Sequence, residues 1–209
     1  VKDFDLSLYL VLDPGLCAGI GMVETARRAV AGGVTMVQLR DKDADTAAMI
    51  ATGRALQAAL AGTGARLIIN DDVAAAVALG ADGLHIGQGD MSVAEARARV
   101  GAGAILGLSV ETPALAKAAD PALVDYIGAG PVFATPTKTD HKQPVGFDGL
   151  AAQVAASRVP AVAIGGLKAA HVAQVVAAGA QGLAVVSAIC GQPDPEAAAR
   201  ALAQARRSV

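Results

Sequence analysis

Short runs of aliphatic residues alternate along this chain with alanine-rich stretches that carry their polar residues at helical spacing. The apolar runs are Leu8–Leu12, Thr35–Leu39, Arg66–Ile69, Gly83–Ile86, Ile105–Leu108, Val124–Ile127, Ala161–Ile164 and Leu183–Val186. They are nearly continuous in hydrophobicity, without a strict in–out alternation, which is the pattern of parallel strands covered on both faces. Eight such strands are predicted.

The intervening helices announce their ends. Ser92 and Glu95 have capping-box spacing, so that a hydroxyl and a carboxylate can satisfy the free N–H groups of a helix start. Thr112-Pro113 and Asp194-Pro195 each set a capping side chain before a proline at the first helical position. Asp72 precedes Val73-Ala74-Ala75-Ala76-Val77 in the same way. Gly32-Gly33, Gly80 and Gly179 fall where helices must stop before the next strand. Strand and helix alternating to the end predict one α/β domain over residues 1–209, a (β/α)8 TIM barrel. An open doubly wound sheet is the alternative, but eight successive units with no second-domain linker favour closure.

The chain has 209 residues, 54% of them hydrophobic, enough for a sizeable core in one barrel. A net charge of −2 speaks against nucleic acid or a membrane surface as partner, and the lack of Trp removes stacking platforms for single strands. Cys17 and Cys190 lie far apart in sequence and read as two reduced thiols. The first residues lack the order of a signal peptide, and no apolar run has the length of a membrane span. A soluble, cytoplasmic protein is expected, and exposed Ala/Val helix faces would permit a homodimer.

The candidate chemistry follows the strands, so a closed barrel would gather it on one rim. Gln38-Leu39-Arg40-Asp41-Lys42 follows the second strand. Alternation aims Gln38 and Arg40 to one side, where a guanidinium and the Lys42 ammonium suit a multiply charged phosphate and Gln38 can read a heterocyclic edge. Asn70-Asp71-Asp72 ends the third strand, and Gly87-Gln88-Gly89-Asp90 follows the fourth. Carboxylates from adjacent loops are a usual way to hold magnesium, and Asp71 with Asp90 is the candidate pair.

Ser109 closes the fifth strand. With no histidine in a persuasive position and no Gly-x-Ser-x-Gly elbow, it is expected to donate a hydrogen bond, not to attack. Thr135-Pro136-Thr137-Lys138 opens a long aperiodic loop from Ala134 to Gly146, read as a lid able to clasp an oxyanion and exclude water. Gly165-Gly166 and Val186-Ser187 follow the seventh and eighth strands, where barrels often bind phosphate through backbone N–H groups. Among the histidines, His85 reads as a satisfied core residue, His171 as a helix residue away from the rim, and His141 as a loop residue. Their spacing excludes zinc.

These motifs, taken in order, resemble those of the thiamine phosphate synthase family: Gln38 to Lys42, Asn70-Asp71-Asp72, Gly83-Leu84-His85-Ile86-Gly87-Gln88 with Asp90, Thr135 to Lys138, and Ile164-Gly165-Gly166. The resemblance runs from the first strand to Ser187. It implies a barrel that joins a hydroxymethylpyrimidine diphosphate to a thiazole phosphate and releases diphosphate. It further implies that Gln38, Leu39, Arg40, Asp41, Lys42, Asn70, Ser109 and Lys138 bind the pyrimidine diphosphate, with Arg40, Lys42, Ser109 and Lys138 serving catalysis. Asp71 and Asp90 would hold Mg2+, and Thr135, Pro136, Thr137, Gly166, Val186 and Ser187 would receive the thiazole phosphate. The implied mechanism is dissociative, which accounts for the lack of a strong nucleophile or base. A thiazole tautomerase or regulatory paralogue of the same fold is the nearest alternative, followed by a non-catalytic phosphate-binding barrel. A sugar-phosphate isomerase would need an acid/base pair facing the barrel centre, and the sequence displays none.

Overall fold

A computed structural model describes residues 2–134 and 143–209. Its strands are β1 (Leu8–Val11), β2 (Met36–Leu39), β3 (Arg66–Asn70), β4 (Gly83–Ile86), β5 (Ile105–Val110), β6 (Tyr126–Ala129), β7 (Ala161–Ala163) and β8 (Gly182–Val185). All neighbours pair in parallel, and β8 pairs with β1, so the sheet closes as the expected (β/α)8 barrel. Helices α1 (Met22–Ala31), α2 (Thr46–Leu60), α3 (Val73–Leu79), α4 (Val93–Val100), α5 (Pro113–Ala118), α6 (Gly146–Ala156), α7 (Val172–Ala177) and α8 (Pro195–Arg207) form the outer layer. None is long and apolar enough to cross a membrane.

Closure splits the apolar strands between two cores. Leu8, Leu10, Val37, Leu39, Ile69, Leu84 and Leu106 face the helices, whereas Tyr9, Met36, Ile68, Ile105, Tyr126 and Val162 pack inside the barrel. Alternate residues thus serve different cores, so each run reads as continuously apolar although its side chains alternate. The upper barrel interior, by contrast, carries the polar members of the same inward-facing rows, among them Gln38, Asn70, His85 and Ser109.

The N-cap side chains act as their chemistry requires, but the Glu95 carboxylate accepts from Arg99 Nη2 at 2.7 Å and does not close the expected capping box. Asp72 Oδ1 accepts the Ala75 N–H at 2.8 Å, Asp194 Oδ1 accepts the Ala197 N–H at 3.0 Å, and Ser92 and Thr112 cap α4 and α5 in the same way. Each such cap contributes about 1 kcal/mol. The sixth strand starts two residues later than expected, because Val124 still closes a turn by donating its N–H to Asp120 O at 2.8 Å. At that end of the barrel Asp125 Oδ2 accepts from Leu106 N–H, Arg97 Nη2 and Lys2 Nζ, each at 2.7 Å. This network ties α4 and the N-terminal segment to the base of the barrel, opposite the rim.

Candidate active site

At the C-terminal ends of the strands lies a cavity of about 170 Å³. It is lined by Tyr9, Gln38, Arg40, Asn70, His85, Ser109 and Glu111 on one wall and by Gly165, Gly166, Val186 and Ser187 on the other, with Val162 and Ile164 among its apolar residues. The inward alternation of β2 does bring Gln38 and Arg40 together. Leu39 is turned to the helical layer and is fully buried there, so only its main chain is left for a ligand. Asp41 accepts the Asp43 N–H at 3.1 Å and shapes the β2–α2 loop, on which Lys42 is exposed.

The carboxylate wall is built by an unusual backbone. Asp71 has φ 61, the one non-glycine residue with positive φ among those described. Its N–H is held by His85 O at 2.9 Å. Aspartate tolerates this region better than most residues, yet its use here still costs of the order of 1 kcal/mol. The return is placement, since the Asp71 carboxyl is set beside Asp90 and Asn70. Asp90 is itself fixed by the Gly87 N–H, which donates to its Oδ2 at 2.7 Å.

Loss of water around the Asp71 carboxyl, and then the adjacent Asp90, raise it to about 6, while Asn70 and Arg40 act in the opposite direction. Two abutting carboxylates can share a proton or a cation. Hard oxygen donors from adjacent loops, both on residues open to solvent, fit a magnesium ion that keeps waters or substrate oxygens in its remaining positions.

Deeper in the barrel, side chains from five strands form one hydrogen-bonded chain. Gln38 Nε2 donates to Tyr9 Oη at 2.8 Å, and Tyr9 Oη lies 2.9 Å from Tyr126 Oη. Tyr126 Oη lies 2.9 Å from His85 Nδ1, and His85 Nε2 lies 2.9 Å from Ser109 Oγ. Burial pushes both phenols up, so they remain protonated at neutral pH. Gly107 on β5 makes this contact feasible, because a Cβ there would overlap the Tyr126 phenol and the His85 ring.

Two sequence expectations change here. His85 is buried and satisfied as expected, but it faces the barrel centre and does meet Ser109. It offers no nucleophile–base pair, however, because its other nitrogen meets a phenol and not an orienting carboxylate. Tyr9 and Tyr126 were not singled out from sequence at all. The sequence signal nearest to them is Gly107 in the middle of a buried strand, since a glycine there makes room for a bulky neighbour, found to be Tyr126.

The opposite wall is made of main chain. Gly165 and Gly166 have φ 99 and 65, and Val132 and Phe133 donate their N–H groups to Ile164 O and Gly165 O at 2.8 and 3.1 Å. A Cβ on Gly166 would lie 2.9 Å from Phe133 Cβ. Next to this loop, the Cys190 N–H donates to Val186 O at 2.8 Å and Gln192 Nε2 donates to Ser187 O at 2.8 Å, turning the chain directly after β8. Backbone N–H groups and the Ser187 hydroxyl can bind an anion here without a cation.

Thr135, Pro136, Thr137, Lys138 and His141 lie outside the described residues, so the lid reading does too. His171 stands closer to the rim than expected: it ends a 3-10 turn (Ala169–His171), and its ring centroid lies 4.8 Å from that of Phe133. Barrel closure also unites the two cysteines. Neither forms a disulfide and both are buried: Cys190 Sγ donates to Val11 O at 3.6 Å, and the Cys17 thiol beside it is lowered to about 7.

Fold and rim together define a (β/α)8-barrel enzyme with its site at the C-terminal ends of the strands. The model of the thiamine monophosphate synthase family matches residues 8–189, and the chain belongs to that family of thiamine synthesis. The thiamine-phosphate synthase of Xanthobacter autotrophicus is 55% identical over 96% of this chain and 95% of its own length. That of a Psychrobacter species is 50% identical over 94% and 93%. Among solved structures, the thiamine phosphate pyrophosphorylase of Pyrococcus furiosus superposes with a TM-score of 0.88 at 33% identity, covering 97% of this chain and 96% of that one. A 3-hexulose-6-phosphate synthase, at 19% identity and a TM-score of 0.68 over 95% and 99%, shares the fold alone.

Proposed function

We propose that the chain couples 4-amino-2-methyl-5-hydroxymethylpyrimidine diphosphate with 4-methyl-5-(2-hydroxyethyl)thiazole phosphate to give thiamine phosphate and diphosphate, or with its carboxylated form to give the same products and CO2. The observation that carries this reading is the pair of unlike walls around one cavity. Arg40, Asn70 and Ser109 line one side, with the Asp71/Asp90 pair next to Asn70 just outside the lining, and the glycine loop with Val186-Ser187 lines the other. One wall suits a diphosphate accompanied by a divalent cation, and the other suits a phosphate monoester. A single-substrate isomerase would have no use for both.

The reaction needs little from the protein in the way of bases. The bond between the pyrimidinylmethyl carbon and the diphosphate oxygen breaks, and both electrons leave with diphosphate. The cation that remains is delocalised into the aminopyrimidine, and the thiazole nitrogen closes the new C–N bond with its lone pair. Arg40 and Lys42, with Lys138 from the loop, hold the departing charge. At an effective dielectric of 20, a fixed cation at 4 Å contributes about 4 kcal/mol. Only the part of that interaction that grows as charge builds on the leaving oxygen lowers the barrier, a fraction of the roughly 8–23 kcal/mol that enzymes supply in all. Mg2+ held by Asp71 and Asp90 would add charge neutralisation of the same kind. Gln38 and Ser109 orient the heterocycle, while Val162 and Ile164 keep an apolar surface around the cation, where water would be a competing nucleophile.

The test is product formation from the two purified substrates, with magnesium and with chelator. Equal, magnesium-dependent yields of diphosphate and thiamine phosphate are expected. Thiazole phosphate binding without coupling, by a folded protein supplied with magnesium, would refute the reading.

A further inference from the structure

The buried chain from Gln38 to Ser109 has a property that its separate hydrogen bonds do not. Every internal member must pass on one proton, because each hydroxyl has a single hydrogen and a neutral imidazole has one donor and one acceptor nitrogen. With Gln38 Nε2 turned to Tyr9, as found, the Tyr9 oxygen accepts from the amide and Tyr9 donates to Tyr126. Tyr126 must then donate to Nδ1 of His85, which places the imidazole hydrogen on Nε2, facing Ser109 Oγ. Ser109 accepts there, and its own hydrogen is left for the cavity. Gln38, for its part, keeps Oε1 as an acceptor.

Rotating the Gln38 amide by half a turn reverses every bond. Ser109 then donates inward and offers the cavity a lone pair, while Gln38 offers it an N–H. In each state only one of the two cavity-lining ends can donate to a ligand. A state with two donors breaks one buried hydrogen bond and is disfavoured by roughly 5- to 150-fold, whereas two acceptors stay possible through the second lone pair of Ser109.

We propose that Tyr126, at the middle of this relay and outside the cavity lining, is a positioning residue that couples the hydrogen-bond roles of Gln38 and Ser109, so that the pocket rejects a heterocycle edge presenting two acceptors. An aminopyrimidine, with an exocyclic N–H beside a ring nitrogen, needs only one donor from the pocket and is accepted in either state. The inference rests on the function proposed above for its substrate, but the relay itself is independent of it. Phe4 and Tyr9 pack against the Tyr126 ring with centroids 6.0 Å away, so a phenylalanine at this position keeps the packing and loses only the hydroxyl.

The experiment compares wild type with Tyr126→Phe in three readouts. The first is the ratio of kcat/KM for the aminopyrimidine diphosphate over the corresponding methoxypyrimidine, whose edge has two acceptors and no donor; it should fall about tenfold in the variant. The KM for thiazole phosphate should stay unchanged. The second is the ring 15N shift of His85 in the unliganded protein. Its ratio of neutral tautomers should change in the variant, where Nδ1 has lost its phenol partner. The third, binding of the unphosphorylated aminopyrimidine alcohol by calorimetry, needs no turnover and should lose its preference over the methoxypyrimidine. Unaltered discrimination in a folded Tyr126→Phe protein, or an unchanged His85 tautomer ratio in it, would overturn the coupling. Failure of wild type to form thiamine phosphate would instead refute the function, with the 15N and calorimetric readouts still deciding the relay.

Discussion

Replacing Gly166 by alanine tests the two-wall reading most sharply, because the substitution adds one methyl to one wall. Gly166 has φ 65, a region that costs an L-residue roughly 1–2 kcal/mol. The new Cβ would also lie 2.9 Å from Phe133 Cβ and 3.1 Å from Ala134 O, inside ordinary contact distance. Gly166 is exposed and Phe133 only half-buried, so the neighbours can give way, and the overlap adds about 1 kcal/mol, the low end for overpacking. A total of about 2–3 kcal/mol lowers the melting temperature by roughly 4–12 °C in a chain of this size.

The functional effect should be larger and one-sided. A displaced loop forfeits a charged hydrogen bond to phosphate worth about 1.5–3 kcal/mol, which raises the KM for thiazole phosphate about 10- to 150-fold. The KM for the pyrimidine diphosphate should hold within about twofold. Steady-state kinetics with each substrate varied against saturating partner, beside a thermal melt, measure all three quantities. A rise in both KM values by the same factor would refute the assignment of this loop to one substrate.

Asp71→Asn should reduce turnover at least about 100-fold while leaving the melting temperature unchanged or raised, since it removes one of two abutting carboxylates. In chelator, the wild-type carboxyl near 6 exceeds its unfolded value of 3.8, so the native state binds the extra proton between these pH values. Stability therefore falls as pH rises from about 4 to about 6, and a pH series of melts should show that this fall is smaller in Asp71→Asn. At the other end of the barrel, Asp125→Ala leaves Arg97, Lys2 and the Leu106 N–H without their shared acceptor, and should cost about 2–4 kcal/mol in urea unfolding. Because that network lies opposite the rim, kcat of the folded variant should match wild type.

The fold was legible because two buried faces leave a plain trace: eight apolar runs of strand length, separated by capped helices. The rim was legible because strand ends carry its charges, and Gln38, Arg40, Asn70 and Ser109 do converge there. What escaped was the interior. Where both faces of a strand are buried, hydrophobicity does not tell which face a tyrosine takes, so Tyr9 and Tyr126 looked like ordinary core residues. His85 was recognised as satisfied but not as the partner of Ser109, because that pairing depends on the register of β4 with β5, where His85 stands opposite Gly107. The meeting of Cys17 with Cys190 was hidden for a related reason. Only closure of β8 onto β1 brings the two ends of the chain together.

The left-handed backbone at Asp71 has an evolutionary consequence. Glycine would relieve its φ of 61 and remove the crowding with Asp90, so folding alone gives no reason to keep an aspartate there. A search for heat-resistant variants that ignored activity should drift to glycine or asparagine at this position, whereas one that demanded product should hold the acid against that drift. The residue therefore marks where selection for chemistry and selection for stability pull in opposite directions.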